Sequence, residues 1–173
     1  QWRGAWRSSP PEGPVRRFDV FNGDADGICA LHQLRLADPA DAVLVTGLKR
    51  EIELLRRVVA QPGDEVTVLD ISLARNREAL ARLLERGVRV RWFDHHHAGD
   101  IPAHPGLAAT IDASELVCTS ILVDRHLGGR FRPWAVVAAF GDDLARVAHL
   151  VGHVARVGLD LVDQLRDLVG APR

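Results

Sequence analysis

Strand-like and helix-like runs alternate along residues 15–94, and this alternation restricts the fold more than any other feature of the chain. VRRFDVF (15–21), DAVLVTG (41–47), EVTVLD (65–70) and VRVRWFD (88–94) read as strands. Between them, GICALHQLRLA (27–37) reads as a helix with Ile28, Leu31, Leu34 and Leu36 turned inward, and REIELLRRVVA (50–60) as an amphipathic helix stopped by QPGD. ARNREALARLLERG (74–87) reads as a helix ending at Gly87. Such alternation builds right-handed β-α-β units. The expected fold class is α/β, a parallel sheet of about five strands with helices on both faces.

Beyond residue 94 the pattern turns helical. ELVCTSILVDRHLGG (115–129) is expected to be a helix, opened by the capping-box pattern Asp112-x-x-Glu115 and stopped by Gly128-Gly129. PWAVVAAFGDDLARVAHLV (133–151) and VGLDLVDQLRDLVG (157–170) read as further helices. Residues 1–14 lack periodicity and are expected to be a flexible tail. The organisation read from the chain is therefore a tail over 1–14, an α/β domain over 15–147 and a C-terminal helical segment over 148–173.

Acid sits at the strand ends. The first strand runs into Asp24 and Asp26, the third stops at Asp70, and the fourth stops at Asp94 followed by His95, His96 and His97. In an open parallel sheet all strand C-termini emerge on one edge, so these residues, distant in sequence, are expected to meet in one cleft. Carboxylates and imidazoles gathered there are costly as bare charge and favourable as a cation cage, with a ligand chemistry that suits Mn²⁺, Mg²⁺ or Zn²⁺. Taken singly, Asp26 reads equally as the cap of a helix starting at Gly27, Asp24 as a turn residue and Asp70 as a cap. Their coincidence on one edge with DHHH favours a shared site. FGDD (140–143) adds Asp142 and Asp143, which interrupt an apolar helix where unpaired charge is expensive.

Other motifs carry less. NGDADG begins like a calcium-binding EF-hand loop, but the twelfth position is Gln33 where a bidentate glutamate is needed, and a strand precedes it. His149 and His153 lie one helical turn apart without an acidic partner and read as an exposed face. His32, His104 and His126 are lone residues. Cys29 and Cys118 sit in apolar helical patterns and read as buried thiols, which suits a reducing compartment and a cytoplasmic location.

The chain's 173 residues suffice for one domain with a real core, and its 47% hydrophobic and 26% charged residues are those of a globular protein. A net charge of -1 provides no global basic field for nucleic acid or membranes. No apolar run reaches the ~18 residues of a membrane span, and the opening residues lack the apolar core of a signal peptide. The absence of methionine makes a fragment of a longer chain the expectation.

With GDADG, Asp70, DHH at 94–96 and GDD at 141–143 in this order, the sequence resembles the DHH phosphoesterase superfamily over residues 18–145. That group includes RecJ-like single-strand exonucleases, oligoribonucleases, cyclic-dinucleotide phosphodiesterases and family II inorganic pyrophosphatases. The resemblance implies a two-ion site, usually manganese, with magnesium as the substitute. Asp24 would hold the first ion and Asp26 the second, Asp70 would bridge them, and His95 and Asp142 would complete the second. His96 would face the phosphate, and Asp94 would orient a ligating imidazole from behind. The implied activity is hydrolysis of phosphodiester bonds in nucleotides or short single strands of nucleic acid. Inorganic pyrophosphate hydrolysis, or a catalytically impaired metal-binding regulatory domain, are the alternatives. Two departures stand out. Asn22 and its neighbours occupy the region where many members carry a histidine ligand of the first ion, and the chain lacks the usual C-terminal substrate lobe, so a catalytic lobe alone is expected.

Overall fold

The computed structural model describes residues 14–48, 50–142 and 144. The expected tail, Asp143, His149, His153 and the 148–173 segment lie outside the described residues, save for Pro14. The elements run β1 (Arg17–Asn22), α1 (Ala25–Ala37), β2 (Val43–Gly47), a single 3-10 turn (Leu54–Arg57), β3 (Glu65–Leu69), α2 (Leu73–Glu85), β4 (Arg89–Asp94), β5 (Leu107–Ile111), α3 (Thr119–His126) and α4 (Arg132–Gly141).

All neighbouring strands pair in parallel, in the order β2-β1-β3-β4-β5. The chain moves outward from β1 to β2, then returns past β1 to β3. The strand order therefore reverses between β1 and β3, and the crevice of a doubly wound sheet opens there, above the strand C-termini.

Alternation along each strand feeds two cores. Val20, Val66, Val68, Val90 and Trp92 face α2 and the 3-10 turn, packing on Leu54, Leu55, Leu73, Leu80 and Leu83. Phe21, Leu69 and Phe93 face the other way and pack on α1, α3 and α4 through Leu34, Ile121, Leu122 and Ala138. The expected α/β class with helices on both faces is what the chain forms.

The second face is graded along the strands. Its first row, read across β1, β3 and β4, is Arg17–Glu65–Arg89; the next is Asp19–Thr67–Arg91; only the last, Phe21–Leu69–Phe93, is apolar. The charged rows pair across the strands: Glu65 pairs with Arg17 at 3.2 Å and Arg89 at 2.8 Å, and buried Asp19 is held by Nε and Nη2 of Arg35 from α1, while Arg89 Nε meets no acceptor among the described residues. Apolar packing for α3 and α4 is thereby offered at the C-terminal end of the sheet, beside the acids.

Several elements differ from expectation. The helix expected over 50–60 is only the 3-10 turn, because side-chain bonds from α2 replace the helical ladder: Asn76 Oδ1 accepts from Leu55 N at 3.3 Å and its Nδ2 donates to Ile52 O at 2.6 Å. α3 starts at Thr119 rather than 115. Asp112 instead caps a turn, accepting from Ser114 N at 3.0 Å. α1 begins two residues earlier than expected, capped by Asp24 and not Asp26. It buries the stripe Asp26, Cys29, Ala30, Gln33 and Leu34, leaving Ile28 49% and Leu36 43% exposed where both were expected inward. β5 was not marked as a strand by the sequence pattern. Its middle residues are Ala108, Ala109 and Thr110, and none of the five is fully buried at the sheet edge, so alternation is faint. Among the described residues no helix is long and apolar enough to cross a membrane.

Candidate metal centre

The β1–α1 turn is built around Gly27. A Cβ there would lie 2.2 Å from Asn22 O, so only glycine lets the helix fold back this tightly on the strand end. Asp24 caps the helix, its Oδ1 accepting from Gly27 N at 3.2 Å and its Oδ2 from Asn22 Nδ2 at 3.3 Å. Two residues further on, Asp26 is 1% exposed.

Asp26 finds its partners on α3. Its two carboxylate oxygens accept from Thr119 N and Ser120 N, each at 2.7 Å, and its backbone oxygen accepts from Ser120 Oγ at 2.8 Å. The carboxylate thus supplies the cap that α3 lacks locally, at the positive end of the helix. The partners are 93 and 94 residues apart in sequence.

Asp70 follows β3 with a φ of 57°, the left-handed region, and is the sole non-glycine so placed among the described residues. Its amide donates to Phe93 O at 3.0 Å, tying the turn to β4, and its Oδ1 accepts from Thr119 Oγ1 at 3.2 Å. Asp94, the last residue of β4, is fully buried. Its Oδ1 lies 2.6 Å from His96 Nδ1, while its Oδ2 meets no hydrogen-bond donor among the described residues.

Asp142 arrives from α4, at the C-cap. Gly141 lets that helix end against α1, since a Cβ at Gly141 would lie 2.5 Å from Ala25 Cβ. His95 is at the centre of the group: its Nε2 lies 3.3 Å from Asp70 Oδ1, 3.7 Å from Asp142 Oδ2 and 4.0 Å from Asp26 Oδ2. Two donor sets able to hold a metal ion result, Asp70 with His95 and His96, and Asp26 with His95 and Asp142, each with its donor atoms within 4.8 Å of one another.

Of the site residues expected from sequence, Asp26, Asp70, His95 and Asp142 therefore come together, and His96 joins them more closely than a phosphate-facing role required. Asp94 stands behind His96. Asp24 falls outside both sets, although its charge reaches Asp70. His97 is exposed. Three other histidines have structural places: His32 packs edge-on to Trp134, His126 to Phe93, and His104 Nδ1 accepts from Gly106 N.

Burial raises the Asp70 carboxyl to about 7, with the charges of Asp26 and Asp24 pushing the same way against the hydrogen bond to His95. Burial would lower His95, but its hydrogen bond to Asp70 and the charges of Asp70, Asp26 and Asp142 outweigh that and lift it to about 9. His96 is raised by its bond to Asp94. Burial raises both thiols, Cys29 to about 11, which leaves them protonated and unsuited to hold a metal at neutral pH. Protons balance the carboxylates in the bare protein, and a divalent cation would balance them better. An oxygen-rich set with imidazole fits such a hard or borderline ion.

Thr119 and Ser120 were missed from sequence. Their signal was hidden by Asp112-x-x-Glu115, a local capping pattern just upstream. Comparison with known proteins adds no assignment: no family model matches the chain, and no curated protein matches it.

Proposed function

We propose that the chain is a metal-dependent phosphoester hydrolase domain of the DHH phosphoesterase kind, acting on phosphodiester bonds of nucleotides or short single-stranded oligonucleotides. The observation that carries this reading is the ring of Asp26, Asp70 and Asp142 around His95 Nε2, at the sheet edge where a doubly wound fold binds ligands. Asp26, Asp70, His95 and Asp142 would hold one manganese ion, and Asp24 with Asp70 would hold a second. When bound, the ions supply Lewis acidity and a water acidified towards neutral pH.

The protein's own groups do the rest. Asp94 fixes His96 through Nδ1 and raises its pKa, so Nε2 is the ring atom left to meet a phosphate oxygen, donating to it when the ring is protonated. Thr119 N and Ser120 N hold the Asp26 carboxylate in one orientation. The left-handed backbone at Asp70 leaves its Oδ1 3.3 Å from His95 Nε2, above the C-terminal end of β3.

A metal-binding regulatory domain is the second reading. Its support is Asp24, whose oxygens both accept hydrogen bonds within its own turn. Manganese-dependent release of nitrophenol from a bis(nitrophenyl) phosphate separates the two, run beside pyrophosphate, a cyclic dinucleotide and a short single strand. The hydrolase reading expects turnover that Asp70→Ala abolishes. Manganese binding without turnover on any of the four leaves the regulatory reading, and equal rates in both proteins overturn the hydrolase.

A further inference from the structure

Two of the clustered carboxylates come from different parts of the chain, Asp26 from the start of α1 and Asp70 from the end of β3, yet one residue touches both. Thr119 donates its backbone amide to Asp26 Oδ2 at 2.7 Å and its hydroxyl to Asp70 Oδ1 at 3.2 Å. Thr119 is fully buried, as is Ser120 beside it. A hydroxyl kept wholly from water must be satisfied inside, and here its acceptor is the carboxylate oxygen that lies 3.3 Å from His95 Nε2.

Left to themselves, these carboxylates would rotate apart. Both are buried and both are acids, so mutual repulsion favours turning one away from the cleft. The amide bonds prevent this for Asp26. For Asp70 the side-chain donors within reach among the described residues are the Thr119 hydroxyl and the His95 imidazole. His95 cannot donate from Nε2 while that nitrogen ligates a cation, because its lone pair is then committed and its proton lost. The Thr119 hydroxyl has no such conflict. It can hold Asp70 Oδ1 in place in both states, leaving the other oxygen and the remaining lone pair of Oδ1 available.

We infer that Thr119 is a positioning residue for divalent-cation binding, setting the orientation of Asp70 through its hydroxyl while its amide sets Asp26. This rests on the reading that the cluster holds such a cation. It gives α3 a role in the site that its own side chains, none of which belongs to either donor set, do not suggest.

Thr119→Val tests it, because valine keeps the branched shape and the amide and deletes only the donor, while Thr119→Ser restores the donor without the methyl. Mn²⁺ affinity is read by the loss of free-ion EPR signal on titration, beside the melting temperature of each metal-free protein. The valine variant is expected to bind Mn²⁺ roughly 10-fold or more weakly and the serine variant within about threefold of wild type, the range seen when a residue behind a ligand is lost. A serine variant as weak as valine, or a valine variant as tight as wild type, overturns the inference and leaves the metal reading intact. Absence of Mn²⁺ binding by the wild type overturns both. Should the valine variant fail to fold, the serine variant still decides: a weakening of 10-fold or more in a protein that melts like wild type overturns the hydroxyl as the agent, and near-wild-type affinity upholds it.

Discussion

His95 Nε2 lies 3.3 Å from Asp70 Oδ1, in surroundings that hold the imidazole near 9 and the carboxyl near 7. The pair therefore stores protons at neutral pH that a cation must displace. Mn²⁺ binding at pH 7 is expected to release about one to two protons, since His95 must be neutral to ligate and Asp70 must ionise. Apparent affinity should climb from pH 6 to 9, about tenfold per pH unit for each proton released. Calorimetry in buffers of differing ionisation enthalpy measures this directly; binding heats independent of buffer would refute it.

Asp70 combines an uncommon backbone with a crowded charge. Asn tolerates the left-handed region and can keep accepting from Thr119, but it adds no charge beside Asp24 and Asp26. Asp70→Asn should raise the stability of the metal-free protein by about 1 kcal/mol while removing the Mn²⁺-induced rise in melting temperature. Asp70→Ala should lose the same rise and melt below Asp70→Asn, because alanine is strained at that φ by about 1 kcal/mol. Melting curves with and without Mn²⁺ check both halves, and a metal-free Asp70→Asn protein less stable than Asp70→Ala would contradict the account.

Gly27 admits no side chain. A methyl at Gly27 would press on Asn22 O from 2.2 Å, and backbone cannot yield as a flexible side chain can. Gly27→Ala is expected to cost about 1–3 kcal/mol in urea unfolding and to weaken Mn²⁺ binding, since Asp24 and Asp26 ride on the displaced turn. A variant of wild-type stability would show that the turn has slack.

Far from the site, Asp64 provides a stability switch of known sign. Burial pushes its carboxyl up, but hydrogen bonds from Gln61 N, from the Arg16 guanidinium and from Arg16 N prevail and hold it below the usual value. A depressed folded-state pKa contributes stability above the unfolded value of about 3.9 and loses it as pH falls through the folded one. Asp64→Asn should therefore cost about 1–3 kcal/mol at pH 7 and progressively less below pH 4. Unfolding curves for both proteins at pH 7 and pH 3 test the narrowing gap.

The sheet and the acids at its edge were legible because alternation and strand-end aspartates are local patterns. Asp70, Asp94 and His95 each end or follow a strand that any reading of hydropathy finds. The parts that escaped depend on partners distant in sequence. Residues 50–60 have helical periodicity, but Asn76 intercepts their backbone from α2. Taken singly, Asp26 read as a local cap because the amides it serves lie 93 and 94 residues on, and the start of α3 was misjudged for the same reason. Asp24 shows the reverse. It was read singly as a turn residue, and it is Asp24 that caps α1 and lies outside both donor sets.

The bond from Asp26 to α3 changes what sequence comparison could say about this chain. An acid that roofs a helix is kept by selection on architecture whether or not any chemistry survives, so its retention in a lineage would be no testimony to activity. A lineage that lost the metal site altogether should still keep Asp26, for its hold on the start of α3.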